Sequence, residues 1–193
     1  MKFARCFFIL FLLTACAGRA GPDSGALRAP EYDKYGITNL NVGDVQIVNS
    51  YVPPYHAPNV EHELYLPPYV AVRDWAQSRF RAVGTDGVAK IEILDASIIK
   101  HDLPVRGGFG GWFGDQINAE YRLHIKVRTE VISPEYENLP FAEVEVTRTI
   151  QTTDNTTLAQ RDAQLHDMVS SALDELNKLM TQSLHDKLSD IAH

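Results

Sequence analysis

Two cysteines, Cys6 and Cys16, carry the most reactive side-chain chemistry in this 193-residue chain. A cysteine thiolate is a nucleophile that can be acylated, oxidised or bound to a metal ion. Cys6 opens an apolar run, Cys6–Leu13, which follows the basic residues Lys2 and Arg5. A positive segment, a short apolar segment and small residues behind them are typical of a signal peptide that is removed. We therefore expect Cys16 to be the one cysteine of the mature chain.

The tetrapeptide Leu13-Thr14-Ala15-Cys16 resembles the lipobox of a bacterial lipoprotein signal, in which an aliphatic and two small residues precede cysteine. The resemblance implies a signal peptide over residues 1–15, cleavage before Cys16 and acyl chains, palmitate among them, on that cysteine. The sorting rule familiar from enteric bacteria then implies the outer membrane, facing the periplasm, because Ala17 follows the cysteine. The alternative is an ordinary secretory signal cut nearby, which would leave an unpaired thiol in an oxidising compartment.

A glycine-rich stretch at 106–115 is the most unusual internal segment of the chain. It holds five of the 12 glycines together with the aromatic residues Phe109, Trp112 and Phe113. It lies between two predicted strands and exceeds the about two to five residues of an ordinary hairpin loop. Because aromatic side chains bring a large contact area, we predict that this loop contacts a membrane interface, a lipid or a partner protein. The alternative is that the aromatics fold back onto the rim of the domain.

Residues that could support catalysis or metal binding do not form a known constellation. His56, Glu61, His62 and Glu63 are the one metal-like cluster, and their spacing matches no zinc signature. The chain has no Gly-x-Ser-x-Gly elbow and no free cysteine after acylation. We therefore predict a protein that is not an enzyme and that uses no metal or cofactor. A hydrolase is the alternative that this leaves open.

The acidic balance of the chain excludes some partners. Its formal net charge is −7, and removal of Lys2 and Arg5 with the signal peptide makes the mature chain more acidic still. An acidic domain repels nucleic acid and anionic lipid headgroups. We therefore expect no nucleic-acid partner, and we expect the membrane to be reached through acyl chains and not through a basic patch.

Four segments show the alternation of apolar and polar residues that is typical of strands. They span residues 44–51, 88–100, 117–131 and 142–150, and the phase of the second slips near Leu94-Asp95, which predicts a bulge. On the polar face, Arg122, Lys126 and Arg128 lie opposite Glu143 and Glu145 of the next strand, which predicts cross-strand ion pairs.

Two amphipathic helices accompany the strands. The first begins at Pro67-Pro68 and is expected to end in a left-handed cap at Gly84; the second begins with the capping box Thr157/Gln160. The order strand-helix-strand-strand-strand-helix predicts an α+β two-layer sandwich, with a mostly antiparallel four-stranded sheet covered by two helices. Residues 16–39, rich in glycine and proline, are predicted to be a flexible tether, and residues 40–193 a single domain.

The lipobox, the tether and this element order together resemble the lipopolysaccharide-assembly lipoprotein and the auxiliary lipoproteins of ABC-type transporters. The resemblance implies an accessory, non-catalytic binding role in envelope lipid transport or outer-membrane assembly. Its implied partners are the membrane, through the anchor, and another envelope protein or lipid. The alternative is a structural subunit of a larger envelope or secretion complex that has no small ligand.

Overall fold

A computed structural model describes residues 30–104 and 115–192 of the chain. Two α-helices, six strands and two 3-10 helices make up this part. The strands are β1 (Thr38–Leu40), β2 (Asp44–Asn49), β3 (Phe80–Ala82), β4 (Val88–Asp102), β5 (Ile117–Ile132) and β6 (Phe141–Thr153). The helices are α1 (Pro68–Arg79) and α2 (Leu158–Lys187), and the 3-10 helices are Tyr32–Tyr35 and Glu61–Glu63.

The main sheet has the order β2-β4-β5-β6, and the predicted α+β class is confirmed. Strands β4, β5 and β6 form an antiparallel meander, whereas β2 runs parallel to β4. The parallel pair requires a long crossover, which the chain supplies with α1 and the segment 50–67 before it, which contains four prolines. Strands β1 and β3 form a separate parallel pair that the sequence analysis did not predict.

One face of the main sheet is apolar and packs under both helices. Ile91 of β4, with Leu123 and Ile125 of β5, is fully buried there. Trp75 of α1 is also fully buried, and its indole Nε1 donates to Oδ1 of Asn177 of α2 at 3.2 Å. The sheet and the two helices therefore share one hydrophobic core, and the charged residues predicted on the opposite strand positions face outward.

The predicted bulge in β4 is confirmed by a register shift between Ile93 and Asp95. Strand β2 pairs with β4 only up to the bulge, and residues 58–60 take its place beyond it. There the backbone N–H of Val60 donates to the carbonyl of Ile98 at 2.9 Å. The crossover between β2 and α1 is thus held to the sheet edge by the bulged strand.

The predicted left-handed cap at Gly84 is wrong, because α1 ends five residues earlier, at Arg79. The chain leaves the helix to pair Phe80–Ala82 with β1, and this strand pairing displaces the last predicted turn. Gly84 instead allows a close backbone approach: a Cβ there would lie 2.7 Å from the backbone carbon of Asn41 and 2.8 Å from the nitrogen of Val42.

The segment before β2 packs against the helices. Residues 32–39, which the sequence analysis placed in the tether, contain a 3-10 helix and most of β1. Lys34 Nζ lies 2.6 Å from a carboxylate oxygen of Asp174 of α2, and the hydroxyl of Tyr35 donates to the same carboxylate at 2.8 Å. The ordered body thus includes these residues.

Helix α2 begins with the predicted capping box, which is confirmed. Thr157 Oγ1 accepts from the backbone N–H of Gln160, whose side chain accepts from the backbone N–H of Thr157. Among residues 30–104 and 115–192, no helix combines the length and the apolar character needed to cross a bilayer.

Candidate functional site

A cleft of about 450 Å³ opens where the N-terminal segment meets the two helices. Its walls come from the first 3-10 helix, the residues up to β1, the end of α1 and the last turns of α2. The apolar part of the wall includes Tyr35, Ile37 and Leu184, and the polar part includes Arg79, Asn177 and Thr181. A concave site with apolar walls and a few placed polar groups is the usual form of a small-molecule site, and this volume lies within the usual range.

Arg79 is the unusual member of the cleft wall, because only 3% of its surface is exposed. One terminal guanidinium nitrogen donates to the backbone carbonyl of Tyr35 at 3.0 Å and to Oδ1 of Asn177. The other donates to Oγ1 of Thr181 at 2.8 Å. All three acceptors are neutral, so a buried cation lies here without a carboxylate partner in the described part of the chain.

The guanidinium of Arg79 also keeps unused hydrogen-bonding capacity. An arginine side chain has five N–H donors, and the contacts with Tyr35, Asn177 and Thr181 use three of them. Its Nε is buried and has no hydrogen-bond partner. A guanidinium group with unused N–H donors is suited to hydrogen bonding with carboxylates and phosphates.

The electrostatics of the cleft follow from burial. Burial lowers the pKa of Arg79, but an arginine remains protonated in proteins. Burial raises the pKa of the Tyr35 hydroxyl, and its hydrogen bond to Asp174 raises it further. The nearby carboxylates of α2 are engaged elsewhere, since Asp174 contacts Lys34 and Tyr35 while Asp186 contacts His185. The cleft therefore presents a positive charge at its polar end.

Sequence reasoning missed Arg79, although a signal for it exists. Val72, Trp75, Ala76 and Arg79 follow the i, i+3, i+4, i+7 spacing of one helix face, and all four are buried. A basic residue in phase with an apolar face is a candidate buried cation.

The outer face of the sheet carries the predicted ion pairs only in part. Lys126 Nζ lies 2.9 Å from a carboxylate oxygen of Glu143 on the neighbouring strand, as predicted. Arg122 and Arg128 instead contact Glu120 and Glu130, two residues away on their own strand. The cross-strand prediction is wrong for the two arginines, because residues i and i+2 of a strand share a face within reach of a long side chain.

His124 lies between two carboxylates on this outer face, about one third exposed. Its Nδ1 is 2.9 Å from Asp95 of β4 and its Nε2 is 2.8 Å from Glu145 of β6. Burial lowers the pKa of His124, but the hydrogen bonds to Asp95 and Glu145 outweigh burial and raise it above its ordinary value. The histidine therefore connects three strands through two hydrogen bonds.

The four residues of the metal-like cluster are used in different ways. Glu61 is fully buried, and the ring of His62 packs against that of Tyr55, with centroids 5.6 Å apart. Nδ1 of His56 contacts a backbone carbonyl oxygen of its neighbour, and a carboxylate oxygen of Glu63 lies 4.0 Å from a guanidinium nitrogen of Arg161. Within the described ranges, no three His, Cys, Asp or Glu side chains come together as a ligand set.

Four predicted site residues lie outside the described residues: Cys16, the expected lipidation site, and Phe109, Trp112 and Phe113 of the glycine-rich loop. Their predicted roles therefore stay predictions.

No family model matches this sequence, and no curated protein matches it. The solved structures that are similar at a low level include two bacterial lipoproteins. Rare lipoprotein B from Shewanella oneidensis is 18% identical, with a TM-score of 0.36 over 74% of this chain and 97% of that one. A minor lipoprotein from Acinetobacter baumannii is 12% identical, with a TM-score of 0.36 over 77% of this chain and 96% of that one. Both scores are too low for a property of either protein to be carried to this chain.

Proposed function

We propose that this protein is a lipid-anchored, periplasm-facing lipoprotein of the outer membrane, with an accessory binding role in envelope lipid transport or outer-membrane assembly and no catalysis. The observation that carries the proposal is the sequence Leu13-Thr14-Ala15-Cys16 behind a short apolar run. The cleft beside Arg79 supports a binding role, because it offers a concave surface and a buried charge.

The anchor is tested by replacing the two cysteines one at a time. Cys16→Ala removes the expected acyl acceptor, whereas Cys6→Ala makes the same chemical change inside the apolar run and serves as the matched control. Cells are labelled with an alkyne fatty acid and then fractionated. We expect the wild type and Cys6→Ala to carry the label in the outer membrane, and Cys16→Ala to carry none. Undiminished labelling of Cys16→Ala would exclude the lipobox.

The binding loop is tested by photocrosslinking in cells. A photoreactive residue at position 112 replaces Trp112, and one at Val52 provides the control, because Val52 is 78% exposed and lies outside this loop, 60 residues earlier in the sequence. We expect position 112 to capture a lipid or one envelope protein and position 52 to capture neither. If position 112 gives no adduct, the loop is not a contact surface.

A structural subunit of a larger envelope complex is the second candidate, and the free edge of β6 favours it. Strand β6 is 13 residues long and forms the end of the sheet order, so one edge of its backbone has no strand partner among the described residues. Long free edges invite pairing with another chain. A photoreactive residue at Thr149 would then capture one protein reproducibly, and a purified protein free of bound lipid would support this candidate over the first.

A further inference from the structure

The cleft between the N-terminal segment and the ends of α1 and α2 combines three features that point to one ligand class. Its volume of about 450 Å³ is large enough for a small organic molecule. It has apolar side chains, including Ile37 and Leu184, along its wall. It also has a buried guanidinium with unused donors. We propose that this cleft binds a small amphiphilic anion, with the carboxylate or phosphate group against Arg79 and the apolar chain along Ile37 and Leu184.

The negative charge of the proposed ligand is inferred from the missing counter-charge of Arg79. Burying a cation without a counter-charge is expensive, and the neutral oxygens of Tyr35, Asn177 and Thr181 compensate for it only in part. An oxyanion bound in the cleft against the guanidinium forms charge-assisted hydrogen bonds with it and neutralises the charge. A cation or a purely apolar molecule would leave this charge unpaired.

The apolar part of the ligand follows from the rim of the cleft. Ile37 is 61% exposed although it is a large aliphatic residue, and Leu184 lies buried on the neighbouring helix. An inorganic anion would leave this apolar wall in water, whereas a short alkyl chain covers it. The size of the cleft suits one short chain and not a whole membrane lipid.

The network around Arg79 also provides a reporter of binding. Oδ1 of Asn177 accepts from both Arg79 and the indole Nε1 of Trp75. A ligand that draws the guanidinium towards itself changes the hydrogen bond that the Trp75 indole donates to Asn177. The indole N–H resonance of Trp75, assigned with a Trp112→Phe variant, therefore monitors the cleft.

The test uses the full acylated protein in a neutral detergent. Octyl phosphate and octanoate are titrated, and binding is followed by calorimetry and by the Trp75 indole resonance. Two controls, called half-ligands, each carry one part of the ligand: inorganic phosphate has the anionic group alone, and octanol has the alkyl chain without a charge. We expect saturable 1:1 binding of octyl phosphate or octanoate, with binding of either half-ligand at least tenfold weaker. If inorganic phosphate binds as tightly as octyl phosphate, the cleft is a site for free anions. If octanol binds as tightly as octyl phosphate, the cleft is an apolar pocket without charge selectivity. Either result overturns the proposal, and so does the absence of all binding.

Two variants separate ligand binding from folding. Ile37→Asp places a negative charge on an exposed position of the rim, so we expect it to fold and to weaken octyl phosphate binding at least tenfold. Val52→Asp makes the same kind of change at another exposed aliphatic residue that does not line the cleft, and it should bind as the wild type does. Arg79→Met should lose binding where circular dichroism shows it to be folded. Unchanged affinity in Ile37→Asp would overturn the assignment.

This inference deepens the proposed function and rests on it for the expectation that an amphiphile is the natural ligand. The proposed function and this inference can be refuted independently of each other. Loss of the fatty-acid label in Cys16→Ala concerns the anchor alone, and the titration concerns the cleft alone, so a correctly anchored protein with an empty cleft would refute only the inference.

Discussion

Glu61 shows how a buried charge can be held by neutral groups. It is fully buried, and its carboxylate accepts from the hydroxyl of Tyr51 at 2.5 Å, from the side-chain amide of Asn59 at 3.3 Å and from the backbone N–H of Ile98 at 3.2 Å. Burial raises the pKa of Tyr51, and the hydrogen bond to Glu61 raises it further. The carboxylate thus satisfies a backbone donor next to the bulge of β4.

Replacement of Glu61 should separate its charge from its hydrogen bonds. Glu61→Ala leaves the N–H of Ile98 unsatisfied and opens a void, so we expect a loss of about 2–4 kcal/mol in the free energy of unfolding. Glu61→Gln keeps an acceptor and removes a buried charge that has no cationic partner, so a loss within about 1 kcal/mol is expected. Urea unfolding measures both. Equal losses in the two variants would mean that the charge itself stabilises the fold.

His124 makes stability depend on pH. Its folded-state pKa is raised by Asp95 and Glu145, which outweigh burial. A raised pKa means that the stabilisation is fully present below the unfolded pKa, about 6.5, and is lost as the pH rises through the higher folded-state pKa. We expect wild type to exceed His124→Gln by about 0.5–1 kcal/mol at pH 6 and by less at pH 8.5.

Urea unfolding of both proteins at several pH values measures this difference. His101→Gln is the matched control, because His101 is an exposed histidine near the end of β4. The difference between His124→Gln and His101→Gln isolates the contacts of His124 with Asp95 and Glu145. A His124→Gln difference that stays constant or grows above pH 6.5 would contradict the assigned role of the two carboxylates.

At the scale of elements, the parallel pairing of β1 with β3 depends on a close backbone approach at Gly84. A Cβ at this position would lie within 2.8 Å of backbone atoms of Asn41 and Val42, which cannot move aside as a flexible side chain would. Gly84→Ala should therefore lower the free energy of unfolding by about 1–3 kcal/mol. Val83→Ala changes the adjacent residue, which is 58% exposed, and should stay within about 0.5 kcal/mol of wild type. If both variants unfold alike, the approach is not tight.

The elements that the sequence predicted well are those with a long periodic signal. Strand β5 alternates apolar and polar residues from Ile117 to Arg128, and the phase slip in β4 appears as the observed bulge. The capping box at Thr157 and Gln160 is a local motif and forms as expected. Strands β1 and β3 have three residues each, too few to show a period, and so they escaped prediction.

At the scale of the molecule, the shared core predicts cooperative unfolding. Trp75 is fully buried where α1 meets α2 and the sheet, and the residues of the sheet and of both helices belong to one cluster. In a Trp112→Phe variant, Trp75 is the one tryptophan left, because the chain has two. We expect its fluorescence and the far-ultraviolet circular dichroism to give one coincident transition in urea. Separate midpoints would show that the helix layer unfolds apart from the sheet.

The sequence by itself determined the strand alternation, the helix starts and the acidic balance, and it predicts the signal at Cys16, because each of these is read from neighbouring residues or from composition. Only the tertiary structure decided that Arg79 is a buried cation in a cleft and that Glu61 is a buried acceptor. Helical spacing tells which face Arg79 shares with Trp75, but not what covers that face. The partners of Arg79, Tyr35 and Asn177, lie 44 and 98 residues away in the chain, so the contacts form only when the whole core assembles.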